Sequence, residues 1–174
     1  MTPEREAQYR LKLTEAVTAG HQVLKRGGTA LDAVVTAIVL LEDSGIFNAG
    51  KGAVFTSAGT CELDASMMNG ASRAAGAVAG VKRIKKNIRT ARAVMENSPH
   101  VLMVGSGAES FAAGRGLTLI SPKYFGTEEG RREHGIFRRP PRSQPCPQKA
   151  FLREAMTGRA PSLSGCYHSL LSVA

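Results

Sequence analysis

The sequence predicts a layered α/β domain of the α+β kind, in which helices cover a small sheet. Three observations predict it: two stretches with helical periodicity open the chain, short apolar runs next to glycines follow, and a further helix and apolar run come after these. At 174 residues the chain has the length of about one domain. Apolar residues make up 43% of it, which is enough for a packed core.

The chain opens with two amphipathic helices. In residues 4–26 apolar side chains recur at helical spacing, and two glycines end this helix. The second helix lies in the segment TALDAVVTAIVLLED, where Thr29 is placed to cap the N-terminus. Asp32, three residues later, can complete a capping box by accepting a hydrogen bond from the cap amide.

Short strands alternate with short helices in the rest of the folded region. The segment 53–68 predicts a hairpin that turns at its Ser-Ala-Gly triplet, and the small residues of 75–81 predict a strand packed closely on a neighbouring layer. A helix over 87–96, capped by its first residue Asn, precedes a buried strand over 100–105. Another short helix follows over 108–116.

The composition bears on compartment and metal chemistry. No apolar run reaches the roughly 18 residues of a membrane-spanning helix, and the charged N-terminal segment MTPEREAQYR lacks the apolar centre of a secretory signal. We therefore expect a cytoplasmic protein with no membrane partner. The cysteines Cys61, Cys146 and Cys166 form no C-x-x-C pair, so reduced thiols are expected rather than a zinc site or a disulfide framework.

The composition changes near residue 120. Six of the eight prolines lie beyond it, in an Arg-rich segment without sustained periodicity. We therefore expect a folded domain over 1–120 and a basic, irregular tail over 121–174. The net charge of +9 leaves an alternative function open, a non-catalytic interaction protein whose tail binds nucleic acid or an acidic partner. Nucleic acid is disfavoured, because no aromatic residues interleave with the basic run 81–89.

The segment GIFNAGKGAVF is a candidate phosphate-binding loop. Gly45, Gly50 and Lys51 fit the spacing of a P-loop, but Gly52 stands where a magnesium-binding Ser or Thr belongs. The glycines also follow a predicted helix and precede a predicted strand, whereas a P-loop joins a strand to a helix. A structural turn is therefore favoured over a nucleotide site.

Isolated motifs give weaker signals. Gly105-x-Gly107 resembles the opening of a dinucleotide fold, but the position of the third glycine holds Ser110, which favours a tight strand-to-helix connection. Asp64 is an acid in a strongly apolar segment. It can either satisfy backbone amides or orient a functional site, and the structural role is favoured.

Several separated segments together resemble a known family. LLEDSGIFNAGKGAVFTSAGTCELDASMMNG, AGAVAGVKRI and ARAVMENSPHVLMVGSGAESFAAGRG are similar, in order and spacing, to the α-subunit of plant-type L-asparaginases/isoaspartyl peptidases. The resemblance extends from about Glu4 to Phe125. It implies half of the αββα sandwich of an N-terminal-nucleophile hydrolase, a threonine-type amidohydrolase whose precursor cleaves itself into α and β subunits.

The resemblance also implies a cation site in the glycine-rich segment. It implies a structural sodium ion held by main-chain carbonyl oxygens, no organic cofactor, and an Asn48 that lies close to the catalytic nucleophile. Oxygen ligands suit a hard cation, and main-chain ligation removes the need for Lys51 to bind phosphate. The implied ligands are the carbonyl oxygens of Leu41, Glu42, Ser44, Phe47, Ala49 and Lys51.

The family's activity is hydrolysis of L-asparagine or β-aspartyl dipeptides by a threonine whose own α-amine serves as the base. The motifs His-Gly-Gly-Ala-Gly and Gly-Thr-Val-Gly, which the family carries before the α-subunit helices and at the cleavage junction, do not occur in these residues. We therefore expect an α-subunit portion, shortened at both ends, that is inactive alone. The implied partners are a β-subunit and a second αβ unit.

Overall fold

The computed structural model describes residues 2–137, within which helices accompany a three-stranded sheet. The elements in chain order are α1 (Pro3–Lys25), α2 (Ala30–Ser44), a 3-10 turn (Gly50–Gly52), β1 (Leu63–Met68), β2 (Ala75–Val81), α3 (Asn87–Asn97), β3 (Leu102–Val104), α4 (Gly105–Gly114), a second 3-10 turn (Pro122–Tyr124) and α5 (Glu128–Phe137). The predicted α+β class is therefore confirmed.

Both predicted N-terminal helices are present. At the start of α2 the Asp32 amide donates to the Thr29 hydroxyl (3.1 Å), and the Thr29 amide donates to Asp32 Oδ2 (3.3 Å), which confirms the capping box. Gly20 lets α1 approach α2 closely, because a Cβ atom there would lie 3.0 Å from the carbonyl oxygen of Ala33. The two helices are therefore in direct backbone contact.

The central strand of the sheet is β2. It pairs antiparallel with β1 and parallel with β3. The register between β1 and β2 shifts between Leu63 and Ala65, so Asp64 lies at an irregularity of the ladder. Its Oδ1 accepts a hydrogen bond from the Gly80 amide (2.7 Å), which supports the structural interpretation of Asp64.

The hairpin predicted over 53–68 forms only around its turn. There the Thr56 amide donates to the Thr60 carbonyl (2.8 Å), and Phe55 and Cys61 form an isolated antiparallel bridge, but the two halves do not continue into a regular ladder. Most of the second half is β1, which pairs instead with β2 across a turn closed by the hydrogen bond from the Asn69 amide to the Ala74 carbonyl (2.8 Å). The first half directly follows the glycine-rich segment.

The predicted strand over 100–105 is present as β3, but the prediction that it is buried is wrong. Leu102 is 54% exposed and Val104 is 60% exposed. The reason is position, since β3 is an edge strand of the described sheet and pairs there with β2 alone. The short helix predicted next is confirmed as α4.

Helix α3 lies between two apolar clusters. The larger cluster contains Val78 of β2, Val94 of α3 and Phe125, each at most 1% exposed. The smaller contains Val35 of α2 and Ile88 of α3. One helix therefore links the sheet to the N-terminal helix pair.

The contact between β2 and α3 depends on a missing side chain. A Cβ atom at Gly76 would collide with the carbonyl oxygen of Ala91 and the amide nitrogen of Met95, both in α3. The strand and the helix are therefore packed backbone to backbone. This confirms the close packing predicted from the small residues of this strand.

The described chain continues past residue 120 through the second 3-10 turn into α5. The predicted tail lies outside the described residues from 138 onward, together with Cys146 and Cys166, so the boundary at residue 120 stays a prediction. Within residues 2–137, no helix combines the length and apolar character needed to cross a lipid bilayer.

Candidate functional site

The glycine loop, residues 41–52, leads from the last turn of α2 into the first 3-10 turn. After Ser44 the chain leaves the helix through Gly45, which has a left-handed φ of 73°. The Ser44 hydroxyl donates a hydrogen bond to the Leu41 carbonyl oxygen (2.7 Å). Because the last turn of a helix leaves carbonyl groups without intrahelical partners, the loop begins where main-chain oxygens are available.

Two glycines in the loop lie directly against carbonyl oxygens. A Cβ atom at Gly50 would collide with the carbonyl oxygen of Glu42, and one at Gly52 would collide with the carbonyl oxygen of Phe47 and lie 2.8 Å from that of Gly45. Carbonyl oxygens from separate parts of the loop thus line one glycine turn. Such an oxygen-lined turn fits a hard cation such as sodium, so the residues present suit the implied ion.

Two of the proposed ligand carbonyls also accept short-range hydrogen bonds. The Ala49 amide donates to the Phe47 carbonyl (2.7 Å), and the Gly52 amide donates to the Ala49 carbonyl (3.2 Å). A carbonyl oxygen has two lone pairs and can accept a cation as well. The full set of six ligands stays a prediction.

The position of the loop agrees with the preference for a structural turn over a P-loop. The loop follows an α-helix and enters a 3-10 turn, not the start of an α-helix whose amides would face a phosphate. Lys51 is exposed to solvent. Nothing in this local arrangement requires Lys51 to bind an anion.

Asn48 is exposed and holds the end of the glycine loop. Its Oδ1 accepts a hydrogen bond from the Val54 amide (3.0 Å), six residues further along the chain. The side-chain NH₂ is then the group that Asn48 can offer to a substrate or to a neighbouring catalytic group. Its proximity to a nucleophile stays a prediction.

Sequence reasoning missed the role of the Glu42 side chain. Glu42 is only 4% exposed, and its Oε1 accepts a hydrogen bond from the Ile88 amide (3.0 Å) at the start of α3. Burial raises the pKa of the Glu42 carboxyl to about 7, although the amides at the start of α3 and the charge of Lys86 act in the opposite direction. One sequence signal pointed to a special role for Glu42: a carboxylate in the last turn of a helix interacts unfavourably with the helix dipole.

The predicted capping role of Asn87 is wrong. Asn87 is the first residue of α3 and is 1% exposed, and the N-cap residue is Lys86, which makes no side-chain capping bond. The amide of Ile88 uses Glu42 instead. The cap therefore comes from a different helix, which no local sequence pattern can reveal.

Asp43 and Lys86 form an ion pair next to this contact. Tyr124 lies close to Asp43; burial raises the pKa of Tyr124, and the neighbouring carboxylate adds to the increase. The two consecutive acids of α2 therefore contact different elements. Glu42 binds the first turn of α3, whereas Asp43 pairs with Lys86, the residue before α3, and lies close to Tyr124 in the second 3-10 turn.

The basic run 81–89 is partly neutralised. Lys82 pairs with Glu62 (3.1 Å), in addition to the pair between Lys86 and Asp43. Arg83 and Arg89 are exposed to solvent, as expected for a solvated connection. Binding of nucleic acid or an acidic partner to this run or to the tail stays an untested alternative.

An α+β layer with a helix pair and a small mixed sheet is consistent with part of an N-terminal-nucleophile hydrolase fold. A family model described as asparaginase matches residues 1–156. The isoaspartyl peptidase of Salmonella typhimurium is 50% identical over 127 residues, 73% of this chain and 41% of the relative. The chain therefore belongs to the asparaginase family.

Two further relatives come from distant organisms. The plant-type L-asparaginase of Pyrococcus abyssi is 51% identical over 119 residues, which cover 68% of this chain and 37% of the relative. The human isoaspartyl peptidase/L-asparaginase is 39% identical over 132 residues, which cover 76% of this chain and 43% of the relative. The chain thus spans about two fifths of the length of these relatives.

Proposed function

We propose that this chain forms the α-subunit part of an asparaginase/isoaspartyl peptidase that hydrolyses L-asparagine or β-aspartyl dipeptides. The family match over residues 1–156 carries this proposal, because it includes the whole glycine loop. In the proposal the loop holds a structural sodium ion through the carbonyl oxygens of Leu41, Glu42, Ser44, Phe47, Ala49 and Lys51. The ion supplies positive charge that fixes the curvature of the loop and takes no part in bond breaking.

We further propose that the nucleophile is a threonine from outside these residues. None of the Gly-Thr pairs in the chain is followed by Val. The three threonines concerned have structural roles that support this: Thr29 caps α2, Thr60 Oγ1 lies 3.1 Å from Thr56 Oγ1, and Thr127 Oγ1 accepts a hydrogen bond from the Gly130 amide (3.0 Å).

The proposed reaction has two stages. The threonine hydroxyl attacks the side-chain carbonyl carbon of the substrate while the threonine's own α-amine takes the proton. The amine or ammonia leaves with a proton, and water then hydrolyses the resulting ester to release aspartate. Asn48 lies beside the nucleophile in this proposal, where its NH₂ group contacts the reacting group.

The test is co-expression of this chain with the β-subunit of the Salmonella typhimurium relative. Hydrolysis of L-asparagine and of a β-aspartyl dipeptide is measured for the complex and for this chain alone. We expect activity in the complex and none in the chain alone. Activity of the purified chain alone would contradict the external nucleophile, and failure to form a complex with the β-subunit would contradict the α-subunit role.

A pair of asparagine variants tests the proposed site. Asn48→Ala should lower the hydrolysis rate of the complex, because it removes the amide next to the nucleophile. Asn97→Ala, at an exposed position at the end of α3, is the matched control and should leave the rate unchanged. Equal rates in the two variants would remove Asn48 from the site.

A further inference from the structure

The backbone and the side chain of Glu42 contact two different parts of the molecule. Its carbonyl oxygen lies against Gly50 in the glycine loop, so closely that a Cβ atom at Gly50 would collide with it. Its carboxylate Oε1 accepts the hydrogen bond from the Ile88 amide (3.0 Å) in the first turn of α3. Any change in the position of this residue therefore affects both parts.

The first turn of α3 depends on this contact. The first amides of a helix have no intrahelical acceptors, and Lys86, the N-cap residue, makes no side-chain capping bond. A carboxylate next to those amides satisfies a donor and interacts favourably with the helix dipole. Glu42 provides this interaction from a position 46 residues earlier in the chain.

The carboxylate is also held in a restricted environment. Glu42 is 4% exposed, and its second oxygen, Oε2, is buried and accepts no hydrogen bond from the described residues. Burial of a carboxylate is unfavourable unless the group is paired. The hydrogen bond to the Ile88 amide, supported by the neighbouring charge of Lys86, therefore orients the side chain at the start of α3.

We propose that Glu42 is a positioning residue that couples cation binding in the glycine loop to the order of the first turn of α3. The proposal rests on the sodium site of the proposed function. When the ion is bound, the Glu42 carbonyl is held at the loop, and the carboxylate is held at the Ile88 amide. Coupling is reciprocal, so loss of the carboxylate also weakens binding of the ion.

The first test uses hydrogen exchange in the unmodified full chain. Exchange of the Ile88 amide is measured in sodium chloride and in choline chloride at equal ionic strength. We expect sodium to slow this exchange by about 5-fold or more, the lower end of typical coupling. The amide of Ala108 in α4, which is 0% exposed, is the internal control: its exchange should slow only by the gain in global stability, and the 5-fold effect is the additional slowing at Ile88.

The second test compares sodium affinities, obtained from the dependence of Tm on sodium concentration at constant ionic strength. Glu42→Ala should weaken sodium binding about 5-fold or more. Glu42→Gln keeps the size and one acceptor oxygen and should recover part of the affinity. Glu96→Ala removes an exposed carboxylate at the other end of α3, paired with Arg92 (2.8 Å), and should leave sodium affinity unchanged.

The outcomes separate this inference from the proposed function. If sodium stabilises the unmodified chain, but exchange at Ile88 slows no more than exchange at Ala108 and the Glu42 variants bind sodium as tightly as the unmodified chain, the coupling is absent and the cation site stands. If sodium has no specific effect on the unmodified chain, both the site and the coupling are overturned. Because these tests do not measure hydrolysis, failure of the enzymatic proposal would affect neither the conclusion about the cation site nor the conclusion about the coupling. Should Glu42→Ala not fold, Glu42→Gln and the exchange experiment decide.

Discussion

Replacing Gly50 with alanine tests the geometry of the glycine loop most directly. Gly50 has a φ of 53°, a left-handed conformation that costs a residue with a side chain about 1–2 kcal/mol. The new Cβ would also lie 2.7 Å from the Cβ of Glu42, and overpacking of this kind costs about 1–3 kcal/mol. We therefore expect Gly50→Ala to reduce the free energy of unfolding by about 2–5 kcal/mol, much of the roughly 5–15 kcal/mol available to a typical domain.

Alanine substitutions at two other glycines separate the cost of backbone strain from the cost of the steric overlap. Gly27 has a φ of 80° but no atom within 4 Å of an added Cβ, so Gly27→Ala should cost only the strain of about 1–2 kcal/mol. Gly70 has neither a positive φ nor a close neighbour, so Gly70→Ala should change stability by less than about 0.5 kcal/mol. The free energies are measured for the full chain by urea unfolding followed by circular dichroism.

The order of the three variants decides the matter. If Gly50→Ala loses no more stability than Gly27→Ala, then the carbonyl of Glu42 does not lie against Gly50, and the loop is more open than described. If Gly50→Ala is the most destabilised variant but is still fully stabilised by sodium, then the Glu42 carbonyl does lie against Gly50, but this contact is not part of a cation site.

Three further predictions follow from single contacts. Lys51→Ala should leave the sodium-dependent shift in Tm unchanged, because the proposed ligand is a main-chain oxygen; loss of the shift would contradict this. Ile88→Ala should reduce the free energy of unfolding by about 2–5 kcal/mol in urea, since the side chain is 2% exposed; a loss below 1 kcal/mol would argue against its burial. The Thr29 hydroxyl, and then Arg92, lower the pKa of Asp32 from 3.8 to about 2. Its ionised form therefore stabilises the fold above pH 3.8, and the Tm difference between the unmodified chain and Asp32→Asn should shrink as pH falls from 3.8 to 2. A difference that stays constant over this range would rule out the carboxylate as its source.

The sequence predicts those elements whose signals are local. The capping box at Thr29 and Asp32 is complete within four residues, so α2 begins where the pattern places it. The small residues of β2 likewise predict its close contact with α3, because a missing Cβ is a property of the residue itself. Neither prediction needs knowledge of the partner element.

The misses depend on contacts between distant parts of the chain. Two apolar runs around a turn signal predict a hairpin, but only the rest of the chain determines which run finds which partner. Here β1 pairs with β2, and Phe55 contributes only an isolated bridge. The burial of β3 depends in the same way on what covers it, and the cap of α3 comes from Glu42 on another helix.

The candidate site was predictable only as a segment, and the physical reason lies in its use of the main chain. Its described geometry depends on where carbonyl oxygens lie and on the absence of Cβ atoms at Gly50 and Gly52. Every residue has a carbonyl oxygen, so the sequence does not distinguish the ligand positions from other positions. The charge of Lys51 instead suggests an anion site, which the geometry of the loop does not support. The glycines are the visible sign, because only they permit the contact. Substitutions that alter backbone geometry at Gly50 should therefore affect the loop far more than substitutions that remove the charge of Lys51, and comparing these two effects distinguishes a main-chain cation site from a side-chain anion site.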